Sequence, residues 1–115
     1  RILRELGAKA GDHILEVGCG WGGFAEHAAR AGCRITGITV SEAQLDYARA
    51  RIAAAGLQDR VELRLCDYRD LEGQFDHVVS IEMFEAVGER YWPGYFATLR
   101  DRLKPGGLAV VQTIT

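Results

Sequence analysis

The chain has 115 residues, 48% of them hydrophobic and 26% charged, with a formal net charge of −2. That length supports one hydrophobic core and one domain, and the balance is that of an ordinary globular protein. The near-neutral charge gives no reason to expect nucleic acid or an anionic membrane as a partner, and no apolar run approaches the ~18 residues of a membrane span. The three cysteines, Cys19, Cys33 and Cys66, form no C-x-x-C pair; reduced thiols in a cytoplasmic protein fit them better than disulfides or a zinc site. The chain opens on Arg1 with no initiator Met or signal segment and stops at Thr115 inside an apolar, β-branched run. It is therefore read as one domain, residues 1–115, of a longer protein.

The apolar period switches repeatedly between 2 and 3.6. His13 to Val17 reads as a strand, followed by a glycine-rich turn and a helix from about Phe24 to Ala31. Arg34 to Thr39 is a second strand. Ser41, with Gln44 three residues on, is a capping box opening a helix to Ala55, and Gly56 closes it. Val61 to Leu65 is a third strand, Phe75 to Ile81 a fourth, Trp92 to Leu103 a helix, and Leu108 to Thr115 a fifth strand. Lys104-Pro-Gly-Gly107 is a stop-and-turn signal between the last two. Strands alternating with helices at this spacing predict an α/β fold, Rossmann-like, with a mostly parallel sheet and helices on both faces. In such a sheet a ligand sits beyond the carboxyl ends of the strands.

The stretch Leu15-Glu-Val-Gly18-Cys19-Gly20-Trp21-Gly22-Gly23 lies at such an end. Gly18 and Gly20 allow a tight turn and let a ligand approach the backbone with no Cβ in the way. Gly18, Gly20 and Gly23 also satisfy the dinucleotide pattern G-x-G-x-x-G, so a nicotinamide-dependent oxidoreductase must be weighed. Two features count against it. Glu16 puts a carboxylate where a dinucleotide fold has an apolar strand residue, and a carboxylate suits an ammonium and amide donors rather than a pyrophosphate. The acid that a dinucleotide fold places roughly 20 residues on, for the ribose hydroxyls, is missing; Ile38-Thr39 stands there. A purely structural turn is the weaker reading, because four glycines in residues 18–23 are costly without a ligand to admit.

With the turn in place, the chain resembles the cyclopropane-fatty-acyl-phospholipid synthase and mycolic acid methyltransferase family, a branch of the class I S-adenosylmethionine-dependent methyltransferases. The resemblance rests on LEVGCGWGGFA at 15–25, ITGITVSEAQ at 35–44, DRVELRLCDYRDL at 59–71, FDHVVSIEMFEAVGERYWPGYF at 75–96, and LKPGG with QTIT near the end. The glycine turn alone means only a methyltransferase; TVSEAQ, DYRDL and MFEAVG are particular to this branch.

The resemblance implies S-adenosyl-L-methionine as cofactor. Glu16, Gly18, Cys19 and Gly20 would line its methionine and ribose, with Cys19 read from the sequence as a small packing residue of the turn. Thr39 and Gln44 would stand in for the missing ribose acid, and Asp67 or Tyr68 would flank adenine. Glu85, in the turn after the fourth strand, matches the acid that helps hold a bicarbonate in family members, and Gln112 and Ile114 fall in the stretch that completes that catalytic region. Two departures stand out. The family reads F-E-H where this chain has Phe84-Glu85-Ala86, and H-T-I where it has Gln112-Thr113-Ile114. Gln112 can still donate a hydrogen bond to a carbonate oxygen but carries no charge.

The implied reaction is methyl transfer to the alkene of a lipid acyl chain. The bicarbonate would act as the base that closes a cyclopropane ring, and a methyl-branched product forms otherwise. Trp21, Phe84, Tyr91 and Trp92 are candidates for an apolar wall that keeps water from the reacting centre. A small-molecule N- or C-methyltransferase is the alternative, because amine methyltransferases share the M-F-E turn. The membrane surface would be touched only transiently, through other segments. Simpler roles compete at several positions: Glu85 as a helix cap, Trp92, Tyr95 and Phe96 as core, His13, His27 and His77 as surface or strand-end residues, and Arg49 and Arg51 as a solvated helix face.

Overall fold

A computed structural model describes residues 7–81 and 92–112, with side chains described for 7–80 and 97–107. Its elements run β1 (His13–Val17), α1 (Gly23–Arg30), β2 (Arg34–Thr39), α2 (Glu42–Ala54), β3 (Val61–Leu65), a 3₁₀ turn (Tyr68–Asp70), β4 (Phe75–Ile81), α3 (Trp92–Asp101) and β5 (Leu103–Gln112). The five strands form one sheet in the order β3-β2-β1-β4-β5, and every neighbouring pair is parallel. The expected Rossmann-like α/β fold is therefore present. Chain order reverses between β1 and β4, which is the switch point of an open parallel sheet. Among the described residues no helix is long and apolar enough to cross a membrane.

The strand sequences show why both faces are covered. In β1, Ile14 packs into one apolar cluster while Leu15 and Val17 pack into another, the two-residue alternation of a strand buried on both sides. The first cluster joins Ile14, Ile35, Leu63 and Val79 to Ala25, Ala28 and Ala29 of α1 and Leu45, Ala48 and Ile52 of α2. Small alanines let these helices lie close to the sheet. The second joins Leu15, Val17, Ile38, Phe75 and Val78 to Leu99 of α3. Arg49 and Arg51 lie on an exposed helix face, as expected, and each also makes a specific contact. Arg49 Nη2 donates to the Leu63 carbonyl at 2.9 Å, tying α2 to β3, and Arg51 Nε donates to Glu26 Oε1 at 2.6 Å, tying α2 to α1.

The amino edge of the sheet is closed by charge and hydrogen bonding. Asp76 Oδ2 accepts the backbone N–H of His13 at 2.8 Å, while its Oδ1 lies 3.5 Å from Lys104 Nζ. His77 is buried within β4 rather than at a strand end, and its Nε2 meets Asp12 Oδ2 at 3.1 Å. β5 begins earlier than its sequence suggests. Leu103 pairs with Phe75, and Leu108 to Gln112 pair with His77 to Ile81. Lys104-Pro-Gly-Gly107 is the segment by which the register shifts, inside the strand rather than before it.

The His13 N–H is the chief cause holding the Asp76 carboxyl below its ordinary pKa, assisted by Lys104 and His77. A carboxyl depressed in the folded state stabilises the fold above its unfolded pKa of about 4, and that contribution disappears as pH falls through the folded value. Asp76→Ala should cost the full-length protein about 1–3 kcal/mol at pH 7. Urea unfolding followed from pH 7 to pH 3 should show the gap between variant and wild type narrowing below pH 4; a constant gap would mean the carboxyl's charge is not what matters.

Candidate functional site at the carboxyl edge of the sheet

Because β1, β2 and β3 are adjacent and parallel, their carboxyl ends share one edge. That edge brings together the glycine turn, the Thr39–Gln44 stretch and the Cys66–Tyr68 stretch. The glycine turn is pinned to β2: the N–H groups of Gly18 and Cys19 both donate to the Ile38 carbonyl, at 2.9 and 2.8 Å. Gly18 and Gly20 have φ of 81° and 54°, in the left-handed region where a side chain is strained. A Cβ built on Gly20 would meet nothing within 4 Å. The outer side of the turn is thus open for a ligand to lie against bare backbone.

Glu16 sits beneath this turn with 3% of its surface exposed. A carboxylate so deeply placed is costly unless charge or hydrogen bonds compensate it. It is in register with Gly37 of β2. A Cβ on Gly37 would lie 2.8 Å from Leu63 Cδ2, 3.0 Å from Cys19 Cβ and 4.0 Å from Glu16 Oε1. A glycine inside a strand marks such a close approach, and this position was passed over in the sequence. Cys19 is buried. Desolvation first, and the nearby Glu16 carboxylate second, push its thiol pKa up to about 11, so it stays protonated and serves as a small packing residue.

At the end of β2 the capping box is half formed. The Ser41 hydroxyl accepts the Gln44 N–H at 3.2 Å, but the Gln44 side chain does not return to the Ser41 backbone. Thr39 Oγ1 takes that N–H at 3.1 Å and donates to Gln44 Oε1 at 3.2 Å. Thr39 and Gln44 are thereby joined directly to each other. With the amide oxygen occupied, the amide nitrogen is the end that can donate outward. Val40 and Leu65, at the ends of β2 and β3, are large apolar side chains left exposed at this edge; only their position relative to the strand ends marks them.

Beyond β3, Asp67 caps the 3₁₀ turn by accepting the Arg69 N–H at 2.9 Å. The Arg69 guanidinium grips both carboxylate oxygens, at 3.0 and 2.8 Å, and this contact holds Asp67 below its ordinary pKa. Tyr68 is half-buried against the α3-side cluster. The role of Arg69 was missed in the sequence, where only its neighbours drew notice. Of the residues assigned to the reacting centre, Glu85 and Ile114 lie outside the described residues, as do Phe84, Ala86 and Tyr91. Gln112 is the last residue of β5, paired with Ile81, which puts its backbone at the same carboxyl edge on the far side of the switch point.

The arrangement around Gly37 yields a test. Leu63 Cδ2 can rotate away from an added methyl, but Cys19 Cβ is fixed by the two hydrogen bonds to Ile38. Gly37→Ala should therefore cost about 1–3 kcal/mol in denaturant unfolding, the usual range for overpacking. A variant as stable as wild type would show that the turn is free to shift.

Comparison with known proteins agrees with this geometry. A family model described as mycolic acid cyclopropane synthetase matches residues 1–115. The chain is 51% identical over 115 residues to the tuberculostearic acid methyltransferase of Mycobacterium tuberculosis, covering 100% of this chain and 27% of that protein. It is 41% identical over 114 residues to the cyclopropane-fatty-acyl-phospholipid synthase of Escherichia coli, covering 98% of this chain and 29% of the relative. It thus spans little more than a quarter of the curated relatives it matches. A cyclopropane synthase structure from Mycobacterium tuberculosis superposes with a TM-score of 0.85 at 27% identity, over 94% of this chain and 39% of that one. A family match running from the first residue to the last, on a parallel sheet with an open glycine turn and a hydrogen-bonded Thr39–Gln44 pair, makes this chain a member of the mycolic acid cyclopropane synthetase family.

Proposed function

We propose that this chain is the cofactor-binding core of a cytoplasmic S-adenosyl-L-methionine-dependent methyltransferase that acts on an unsaturated fatty acyl chain of a lipid, giving a cyclopropane or methyl-branched product. The observation that carries the reading is the preformed Thr39–Gln44 pair beside an open glycine turn. Family membership supports it, as do the names of the two relatives, which specify fatty acyl chemistry.

The residues fit the cofactor. Backbone at Gly18 and Gly20 gives room for close approach of the ligand. The buried Glu16 carboxylate is an acceptor suited to the amino-acid end, with its ammonium group. The Gln44 amide nitrogen donates to the ribose hydroxyl oxygens, holding the sugar that an acid holds by accepting from those hydroxyls in other members of the wider fold. Asp67, kept ionised by Arg69, accepts from the amino group of adenine, and exposed Val40 and Leu65 offer apolar surface to the faces of the base. When bound, the cofactor supplies an electrophilic methyl group on its sulfonium. The chain's own contribution is to orient that group and shield it from water. Glu85, Gln112 and Ile114 are assigned to the acceptor side, beyond β4 and β5, with Glu85 and Gln112 as the residues that would hold a bicarbonate.

Calorimetry on the full-length protein should detect binding of S-adenosylhomocysteine and none of NADH. Gly20→Val should abolish that binding, and Gln44→Ala should weaken it by about 1–2 kcal/mol, the size of a lost hydrogen bond with a stranded partner. Tight NADH binding without affinity for the homocysteine product would sink the reading.

Acceptor chemistry is separable from cofactor affinity. Glu85→Gln is nearly isosteric, so S-adenosylhomocysteine affinity should barely change while turnover on a lipid acceptor falls about 10²–10⁴-fold. Mass spectrometry of the lipid products would reveal whether branched chains replace rings. Full activity in this variant would remove Glu85 from the reaction, and turnover confined to small amines with none on lipid would favour a small-molecule acceptor.

A further inference from the structure

The glycine turn and α2 come from different parts of the chain, yet three successive contacts join them. The Trp21 ring meets Tyr47 edge-on, with centroids 5.3 Å apart and planes at 85°. Gly22, at φ 90°, lies so near α2 that a Cβ there would be 3.1 Å from Ala48 Cβ. Glu26 Oε1 accepts from Arg51 Nε at 2.6 Å. The partners on α2 are residues 47, 48 and 51, and Gln44 precedes them by three, four and seven, so all four occupy one helical face. Each contact therefore bears on where Gln44 stands relative to Gly18 and Gly20.

The aromatic contact differs from its companions. Gly22 and Ala48 are buried packing, and the Glu26–Arg51 pair is a surface ion pair of small worth. Trp21 and Tyr47 are 53% and 55% exposed, so about half of each stays in water and neither belongs to the core. What the pair fixes is geometry: an edge-to-face contact has a preferred angle and distance. It joins the residue immediately after Gly20 to the residue three beyond Gln44.

We propose that Tyr47 is a positioning residue: through its ring contact with Trp21 it sets the placement of Gln44 against the glycine turn, and so the affinity for the nucleoside part of the cofactor. This rests on the cofactor reading above. Tyr47 touches no ligand in this account and acts only through Gln44 and the turn.

The test is a double-mutant cycle on the full-length protein, read as the dissociation constant for S-adenosylhomocysteine. Tyr47→Ala should weaken binding about 3- to 10-fold, the size of one edge-to-face pair, and Tyr47→Phe should restore the wild-type value because the ring is retained. In a Gln44→Ala background the Tyr47→Ala effect should shrink to less than twofold, since the group being positioned is gone. Circular dichroism checks that each variant is folded, and Tyr47→Leu, which keeps apolar bulk and loses the ring, takes the same prediction where Tyr47→Ala proves unstable; a weakened affinity in Tyr47→Phe, with the hydroxyl lost and the ring kept, would place the effect in the hydroxyl and overturn the proposal. Unchanged affinity in Tyr47→Ala, or an effect of equal size with and without Gln44, would overturn it as well. If wild type itself fails to bind S-adenosylhomocysteine, the functional reading falls and takes this proposal with it; binding by wild type with Tyr47→Ala unmoved sinks the proposal alone.

Discussion

The carboxyl edge of this sheet depends on one close approach, that of the glycine turn to β2. Gly18 and Cys19 both donate to the Ile38 carbonyl, and Cys19 Cβ comes so near β2 that residue 37 can carry no side chain. From that contact follow the open outer face of Gly20, the burial of Glu16 and the high thiol pKa of Cys19. Had the turn stood off by the width of a methyl group, water would reach Glu16 and the backbone would no longer be offered as a fixed surface. Parallel pairing then does the rest, because it delivers the ends of β2 and β3 to the same edge without further instruction from sequence.

Most of this was legible in the sequence where short-range physics decides. The strands β1 to β4 follow from apolar runs bounded by glycine and polar residues, and the start of α2 from Ser41. The reading failed where a residue's role is set by partners distant in the chain. Arg49 and Arg51 do lie on an exposed face, but helical periodicity does not reveal that Leu63 and Glu26 are waiting for them. His77 looks like a strand-end residue until Asp12 is brought beside it. Gln44 was expected to close a capping box, yet the Thr39 hydroxyl competes successfully for the Ser41 N–H and takes the amide oxygen as well. Such competition between side-chain acceptors is a matter of tenths of an ångström, below what spacing can resolve. Gly37 carried a usable signal, being an isolated glycine in a β-branched strand.

The division of labour across the sheet has a physical basis. β1 to β3 present backbone amides, one buried acid and a glutamine, groups suited to the fixed and richly polar cofactor of the proposed reaction. The edge beyond β4 and β5 is assigned the acceptor, which in the proposed reaction is a greasy chain with little to hydrogen-bond. A polar ligand can be held by a few directed contacts made by short loops, whereas an acyl chain needs extensive apolar wall.

The register shift in β5 has a consequence for how the family can vary. β5 pairs with β4 through Leu103 on one side of Lys104-Pro-Gly-Gly107 and through Leu108 to Gln112 on the other, and residues 104–106 are exposed, with Gly106 at φ 83°. The ladder is anchored twice, so the segment between the anchors works as an expansion joint. Residues gained or lost there over evolutionary time would be absorbed as a longer or shorter excursion, and the half of the strand that leads to the acceptor side would keep its alignment with β4. The joint ends at Gly107, where an added Cβ would collide with the carbonyl oxygen of Asp76.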